Sequence, residues 1–355
     1  MAPLEFKPNW DETRERMIRW WKRENTDRPM MRLAFPRPDF VHPNLNTPQK
    51  IEDQWLDIDY LIRLHTAHFT RMIYLAESFP DACANLGPGT FGVYLGCRTT
   101  FAPDTVWYDP IVKDVTELEL AFDPQNRFWL WTIEITRRLV EAGRGRFPVT
   151  VPDLIENLDT LAALVGTERI LLDLIEHPAA VHAAQKKLLP LWFKYFDELY
   201  RLVEIDGGNT FIAFQIWGPG RTAKLQCDMS AMISPEMFHE FVEPYLDKQT
   251  RGLDFTLYHL DGPSALGHLD ALLGLEQLTA LQWTPGEGKP SGGDPCWDGI
   301  YRKALDAGKA IQVSLTPPEA RDFTRRFGKR GVYFLVWGDL TEAEGRRFVS
   351  EAATW

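Results

Sequence analysis

Apolar and polar residues alternate along this chain with two different periods, and the switches between them mark out most of its elements. Positions 9–25 set tryptophan, methionine and isoleucine among charged side chains at helical spacing, which predicts a helix that Arg28-Pro29 stops. The apolar run 30–35 then predicts a strand, and 56–75 reads as helix again. From 147 onward short β-like runs recur at 147–153, 211–217, 255–261, 278–285, 310–315 and 332–337, with helical stretches between them. Two of those helices show where they start. Ser234-Pro235-Glu236 sets a capping hydroxyl before a proline at the first helical position, and Thr316-Pro317-Pro318-Glu319 repeats the device.

Strand followed by helix, repeated, requires a parallel sheet. With the runs near 30 and 79 included, about eight strands result, the number that closes a TIM-type barrel. The expected fold is therefore α/β, a (β/α)8 barrel forming a single domain over 1–355, with an N-terminal helical extension over 1–28 and a long loop insertion over 79–109. No GxGxxG follows a strand and no GxxxxGK[ST] occurs, which removes the usual nucleotide-binding open sheets. The insertion, with Asn85-Leu86-Gly87-Pro88-Gly89, is too apolar to hang free and too irregular to be an element. It is expected to close over the strand ends and bring Asn85 or Trp107 to a pocket.

A net charge of −11 with scattered basic residues argues against nucleic acid or an anionic membrane as partner. No apolar run approaches the roughly 20 residues of a membrane span, and the acidic N-terminus lacks the apolar core of a signal peptide. A cytoplasmic protein acting on a small molecule is expected. Cys83, Cys97, Cys227 and Cys296 form no CxxC pair and read as reduced, mostly packed thiols. Of 13 tryptophans, Trp107, Trp217, Trp283, Trp297 and Trp337 fall near strand ends or loops. Flat walls there suit sugars or other ring ligands, although core packing is the default role for each.

In such a barrel the ligand sits over the C-terminal strand ends. Those ends are polar here: Pro152-Asp153, Gln215-Ile216-Trp217-Gly218, His259-Leu260-Asp261-Gly262 and Gln282-Trp283-Thr284-Pro285-Gly286. Strand alternation puts His259 and Asp261 on one face, a candidate catalytic pair that acts by acid/base chemistry or grips a metal or polyol. Asp153 and Asp228 are further catalytic candidates. Asn85, Trp107, Asn157, Gln215, Trp217, Gln282 and Trp283 are the candidate substrate-binding residues, with Trp283 turned away from Gln282 in a regular strand. Glu156, Asn157 and Asp159 extend the loop after Asp153, where solvated charge is the default. Cys227 reads as a packed thiol. His65 and His68, one helical turn apart without a third ligand at matching spacing, read as structural.

Three stretches resemble the uroporphyrinogen decarboxylase-like superfamily: the segment from Ile233-Ser234-Pro235-Glu236 to Glu243-Pro244-Tyr245, the strand end His259-Leu260-Asp261-Gly262, and the strand 147–153 with its following helices. The resemblance implies a (β/α)8 barrel and either tetrapyrrole decarboxylation or zinc-dependent methyl transfer involving corrinoid proteins. Asn85-Leu86-Gly87-Pro88-Gly89, Asp104-Thr105-Val106-Trp107 and the run 259–286 are similar to a branch labelled trimethylamine-corrinoid-protein-like. Two departures shape the expectation. The segment from Met31-Arg32-Leu33-Ala34-Phe35 to Arg37 does not reproduce the arginine-rich clamp of the decarboxylases. The methyltransferases hold zinc through His-x-Cys and a distant Cys, whereas this chain has His259-Leu260-Asp261 and no cysteine in 331–337. The implied activity is methyl transfer or demethylation with a corrinoid or folate partner, not uroporphyrinogen decarboxylation. No zinc of the methyltransferase type is expected, while a His/Asp site leaves room for a divalent metal. The residues alone leave two alternatives open: a lyase or hydrolase acting on a sugar or polyol, and a non-catalytic binding barrel.

Overall fold

Helical and β periodicities resolve into helices packed on a largely parallel sheet. The structure, a computed structural model, describes residues 3–211 and 214–355. Its strands are β1 (Met30–Pro36), β2 (Met72–Ala76), β3 (Arg98–Phe101), β4 (Val106–Asp109), β5 (Thr150–Val151), β6 (Gly208–Phe211), β7 (Ile216–Pro219), β8 (Thr222–Gln226), β9 (Phe255–Asp261), β10 (Ala280–Thr284), β11 (Ala310–Leu315) and β12 (Val332–Val336). A seven-stranded sheet runs β2-β1-β12-β11-β10-β9-β8 and is parallel except where β2 folds back on β1. A three-stranded sheet, β5-β6-β7, and the hairpin β3-β4 complete the set. The two larger sheets abut at Asn209, whose side chain accepts from Thr222 N and donates to Thr222 O, both at 2.9 Å. On the other side Ala82 bridges Val149 in parallel, and Glu77 N donates to Met31 O at 3.0 Å.

Strand β9 occupies the span that its alternation predicts. The 211–217 run instead divides into the end of β6 and the start of the antiparallel β7, with 212–213 outside the described residues. Residues 72–75, expected to end a helix, form β2, because Met-Ile-Tyr-Leu fits either period and pairing with β1 decides between them. The insertion is more ordered than expected, with a helix at Thr90–Tyr94 followed by the β3-β4 hairpin.

Alternating residues of the sheet enter two separate cores. Tyr258, Leu281, Ile311 and Val332 face the helices, in the main core. Leu257, Ala280, Ala310 and Tyr333 meet Trp10, Met17, Trp20 and Trp21 of the N-terminal helix Trp10–Trp21, together with Trp217. Indole N–H groups fasten this plug: Trp20 Nε1 donates to Gly331 O at 3.1 Å, Trp21 Nε1 to Trp217 O at 3.0 Å, and Trp10 Nε1 to Asp206 Oδ2 at 2.8 Å. The buried Glu77 takes Arg16 at 2.8 Å, Arg28 at 2.6 Å and Met31 N at 2.8 Å, tying the helix to β1. The N-terminal strand ends are thus filled by packed side chains. Among the described residues no helix is long and apolar enough to cross a membrane.

Candidate functional site

Strand register assembles a polar layer above the plug. Gln226 of β8 stands beside His259 of β9, His259 beside Gln282 of β10, and Gln282 beside Gln312 of β11. Nearer the plug, the neighbours of Leu257 are Lys224 and Ala280. His259 Nδ1 is hydrogen-bonded to Gln282 Oε1. The buried Gln282 amide is itself held, since its Nε2 donates to Trp283 O and Thr284 Oγ1, both at 2.9 Å. A carbonyl oxygen only accepts, so Nδ1 carries the proton and Nε2 is left open. Asp261 ends β9 and Asp228 follows β8, and one ligand atom from each of Asp228, His259 and Asp261 lies within 4.8 Å of the others.

Asp228 is oriented by a chain of polar groups climbing β8. Gln226 Nε2 donates to Asp228 Oδ2 at 3.0 Å, and Lys224 Nζ donates to Gln226 Oε1. The same ammonium lies 2.6 Å from Asp153 Oδ1, with only 5% of the Lys224 side chain exposed. The residues after Asp153, which read as a solvated acidic loop, are instead buried supports. Glu156 accepts from Gln226 N at 2.5 Å, and Asp159 accepts from Asp228 N at 2.8 Å and Met229 N at 2.9 Å. Burial pushes both carboxyls above their usual range, with the charge of Asp228 adding to the rise at Asp159. Asp228 is exposed on its cavity side, and its carboxyl too is raised. Desolvation leads that shift, Asp261 and Asp153 add to it, and His259 and Lys224 oppose it.

The cavity beside Asp228 measures about 400 Å³ and is mostly apolar, with Trp107, Tyr108, Ile155, Met229 and Met232 in its walls. Trp107 and Met232 stand at the rim, 65% and 52% exposed. The insertion therefore reaches the strand ends as expected, and a tyrosine holds it there. Tyr108 OH donates to Leu86 O at 2.6 Å and accepts from Gly89 N at 3.0 Å. A Cβ at Gly89 would lie 2.6 Å from the Tyr108 ring, so this approach requires glycine.

A solved protein shares this architecture. The fold is similar to that of a methyltransferase. A methyltransferase from Methanosarcina mazei matches with a TM-score of 0.63 over 96% of this chain and 98% of that one, at 12% sequence identity. No family model matches the chain, and no curated protein matches it in sequence. At that identity the likeness speaks for the α/β fold and its extent.

Other residues singled out by the sequence lie elsewhere. Asn85 caps its own turn by accepting from Gly87 N at 2.9 Å, and borders a different cavity of about 320 Å³ with Trp55, His65 and Cys83. Gln215, at φ +48°, donates to Asp81 Oδ1 at 3.0 Å and borders a third cavity with Arg32, Tyr74, Ser314 and Trp337. Asn157 is buried beside Gln185, Trp192 and Gln249. Trp217 does not face the strand mouth: it belongs to the plug, with its Nε1 donating to Ile205 O at 3.1 Å. Trp283 packs behind the sheet, its ring centroid 5.2 Å from that of Trp297. An indole placed on the odd phase of a strand is driven into the core by its area, whatever the polarity of its neighbours.

A zinc site built on thiolates does not fit these residues. Position 261 is aspartate, and β12 with Trp337 supplies no cysteine. Cys227 sits in the main core, with burial raising its thiol well above the ordinary value. Cys296 is exposed in the short 3-10 turn Pro295–Trp297.

Proposed function

We propose that this chain is a methyl-transfer or demethylation enzyme related to the uroporphyrinogen decarboxylase-like superfamily. In this reading its two sheets form one barrel wall within a single domain, and it works in the cytoplasm with a corrinoid or folate partner. The observation that carries the reading is the convergence of Asp228, His259 and Asp261 at strand ends, with Asp228 at the edge of a mostly apolar cavity. When a methyl group passes from oxygen, nitrogen or sulfur to a nucleophile, the departing atom keeps the bonding pair. Two carboxylates around an open imidazole nitrogen draw a proton or a cation to their centre, and either takes up that developing charge. Ile155, Met229, Met232 and the ring of Trp107 hold the body of the substrate and fix its approach. Neither Arg nor Lys is among the residues lining this cavity, which disfavours a polycarboxylate tetrapyrrole. The polyol reading loses two of its indoles, because Trp217 and Trp283 are core residues.

The test uses reduced free cobalamin, methylated by candidate amines, thioethers and aryl methyl ethers and followed by the absorbance of methylcobalamin, with methyltetrahydrofolate as a further donor. One donor class is expected to react only with protein present, and Asp261→Asn and His259→Asn should lower that rate at least 100-fold while remaining folded. Protein-independent rates with every donor, or unchanged rates in both variants, would refute the reading.

A further inference from the structure

We infer that Asp228, His259 and Asp261 bind one divalent cation through two carboxylates and an imidazole, an oxygen-rich site in place of the thiolate zinc that the family resemblance implies. This stands apart from the methyl-transfer reading, since the ion binds whatever the substrate.

Three features of the geometry support it. The three ligand atoms already lie within 4.8 Å of one another, the spacing of groups that share an ion. His259 is prepared as a ligand: Gln282 engages Nδ1, and the amide of Gln282 is locked by Trp283 O and Thr284 Oγ1, so a fixed second layer holds the ring and leaves Nε2 as the free donor. Both carboxylates are open to solvent, and the charge at Asp228 is offset only in part, by the nearby His259 and Lys224. Among the described residues neither Asp228 nor Asp261 has an Arg or Lys ion pair, Asp228 receives only the neutral amide of Gln226, and the nearby ammonium of Lys224 is committed to Asp153 and Gln226. Two carboxylates this close to each other repel unless a positive charge lies between them.

A second acidic group shows the contrast. Asp173, Glu176 and His177 are equally close together, but Arg169 reaches Asp173 and Glu176, both at 2.5 Å, and Val115 N donates to Asp173 at 2.8 Å. Their charge is already met by a guanidinium. At the strand ends no such group intervenes, and the ligand set decides the class of ion. Two carboxylates with one imidazole suit Mn²⁺, Fe²⁺ or Co²⁺, and no soft thiolate is present to favour a structural zinc. An ion there would assume the role otherwise left to a proton, meeting charge on a departing heteroatom.

The experiment titrates the full chain, stripped of metal, with Mn²⁺ by electron paramagnetic resonance and calorimetry, and then with Co²⁺ by absorption spectroscopy. One Mn²⁺ per chain is expected. Asp228→Asn, His259→Asn and Asp261→Asn should each weaken it at least tenfold, Gln282→Leu should weaken it by about 10–100-fold through loss of ligand orientation, and Glu176→Gln should leave it unchanged. Far-ultraviolet circular dichroism confirms that each variant is folded. The Co²⁺ form should show d–d bands without a thiolate charge-transfer band. Absence of a tight site, retention of full affinity in Asp261→Asn, loss of affinity in Glu176→Gln, or a thiolate band would each overturn the assignment.

Discussion

A buried ammonium with two acceptors is costly to disturb from either side, and Lys224 is such a group. Lys224→Met leaves the Asp153 carboxylate and the Gln226 carbonyl without their donor inside the protein. Chemical denaturation is expected to show a loss of about 2–3 kcal/mol, below the full value for a buried pair because Asp153 keeps some solvent. Asp153→Asn should be milder, since the amide oxygen still accepts from Nζ. A loss in Lys224→Met no larger than that in Asp153→Asn would show that the chain Asp153–Lys224–Gln226–Asp228 is not coupled. Both ends of this chain were legible in the sequence, because acids next to strand ends stand out. Its middle was not, since a lysine with threonine and glutamine two positions to either side looks like surface. Only the strand period of two places Lys224, Gln226 and Asp228 on one line, and that requires β8 to be recognised first.

Elements were legible where apolar alternation was intact and both flanks carried turn or cap signals. Thus β9 and the starts of the helices Pro235–Phe241 and Pro317–Phe327 agree with the sequence, with Ser234 Oγ accepting from Met237 N at 3.2 Å and Thr316 forming a capping box with Glu319. Strand β8 escaped notice because its inward positions Thr222, Lys224 and Gln226 are all polar and its signal is inverted. The same inversion explains the role of Asp159, which stands in for the missing helix or strand partner at the exit of β8 by accepting two backbone N–H bonds. Asp159→Ala should therefore do more than subtract stability. It is expected to cost about 2–4 kcal/mol through two charge-assisted bonds and to speed hydrogen exchange at the amides of Asp228 and Met229. Protection factors at these two amides equal to those of the parent would contradict this account.

At the scale of the whole molecule, the proposed site and the plug lie at opposite ends of the strands. The tryptophan count suggested a ligand platform, but Trp10, Trp20, Trp21 and Trp217 are spent on the plug and Trp283 on the main core. Sequence alone could not separate these uses, because residues 10–21 pack in the plug against residues of β7 and β9–β12, with the Trp21–Trp217 contact spanning 196 positions. Trp20, fully buried there, should when replaced by alanine cost about 3–5 kcal/mol while leaving Mn²⁺ affinity at Asp228, His259 and Asp261 intact in the folded fraction. A fall in affinity beyond the unfolded fraction would mean that the two ends communicate.

The acid response of the molecule separates two opposing groups of titrating side chains. Burial lowers His65 to about 4, with the neighbouring His68 adding to the effect. The unfolded chain accepts this proton near the ordinary value of about 6.5, so between there and about 4 the unfolded state binds more protons and stability falls as pH falls. Glu156, Asp159 and Asp228 have raised values, so the folded state holds their protons longer and their contribution is lost as pH rises. The two trends oppose each other in the same window, and the pH profile of the parent protein alone cannot assign them. His65→Asn removes one of them. The stability of the parent minus that of His65→Asn, measured by urea denaturation at steps from pH 7 to 4, is expected to fall by up to about 1 kcal/mol per pH unit. The limiting slope of about 1.4 is reduced because the ring borders a cavity open to water. A difference that stays flat across the window would show that His65 takes up its proton in the folded protein as readily as in the unfolded chain.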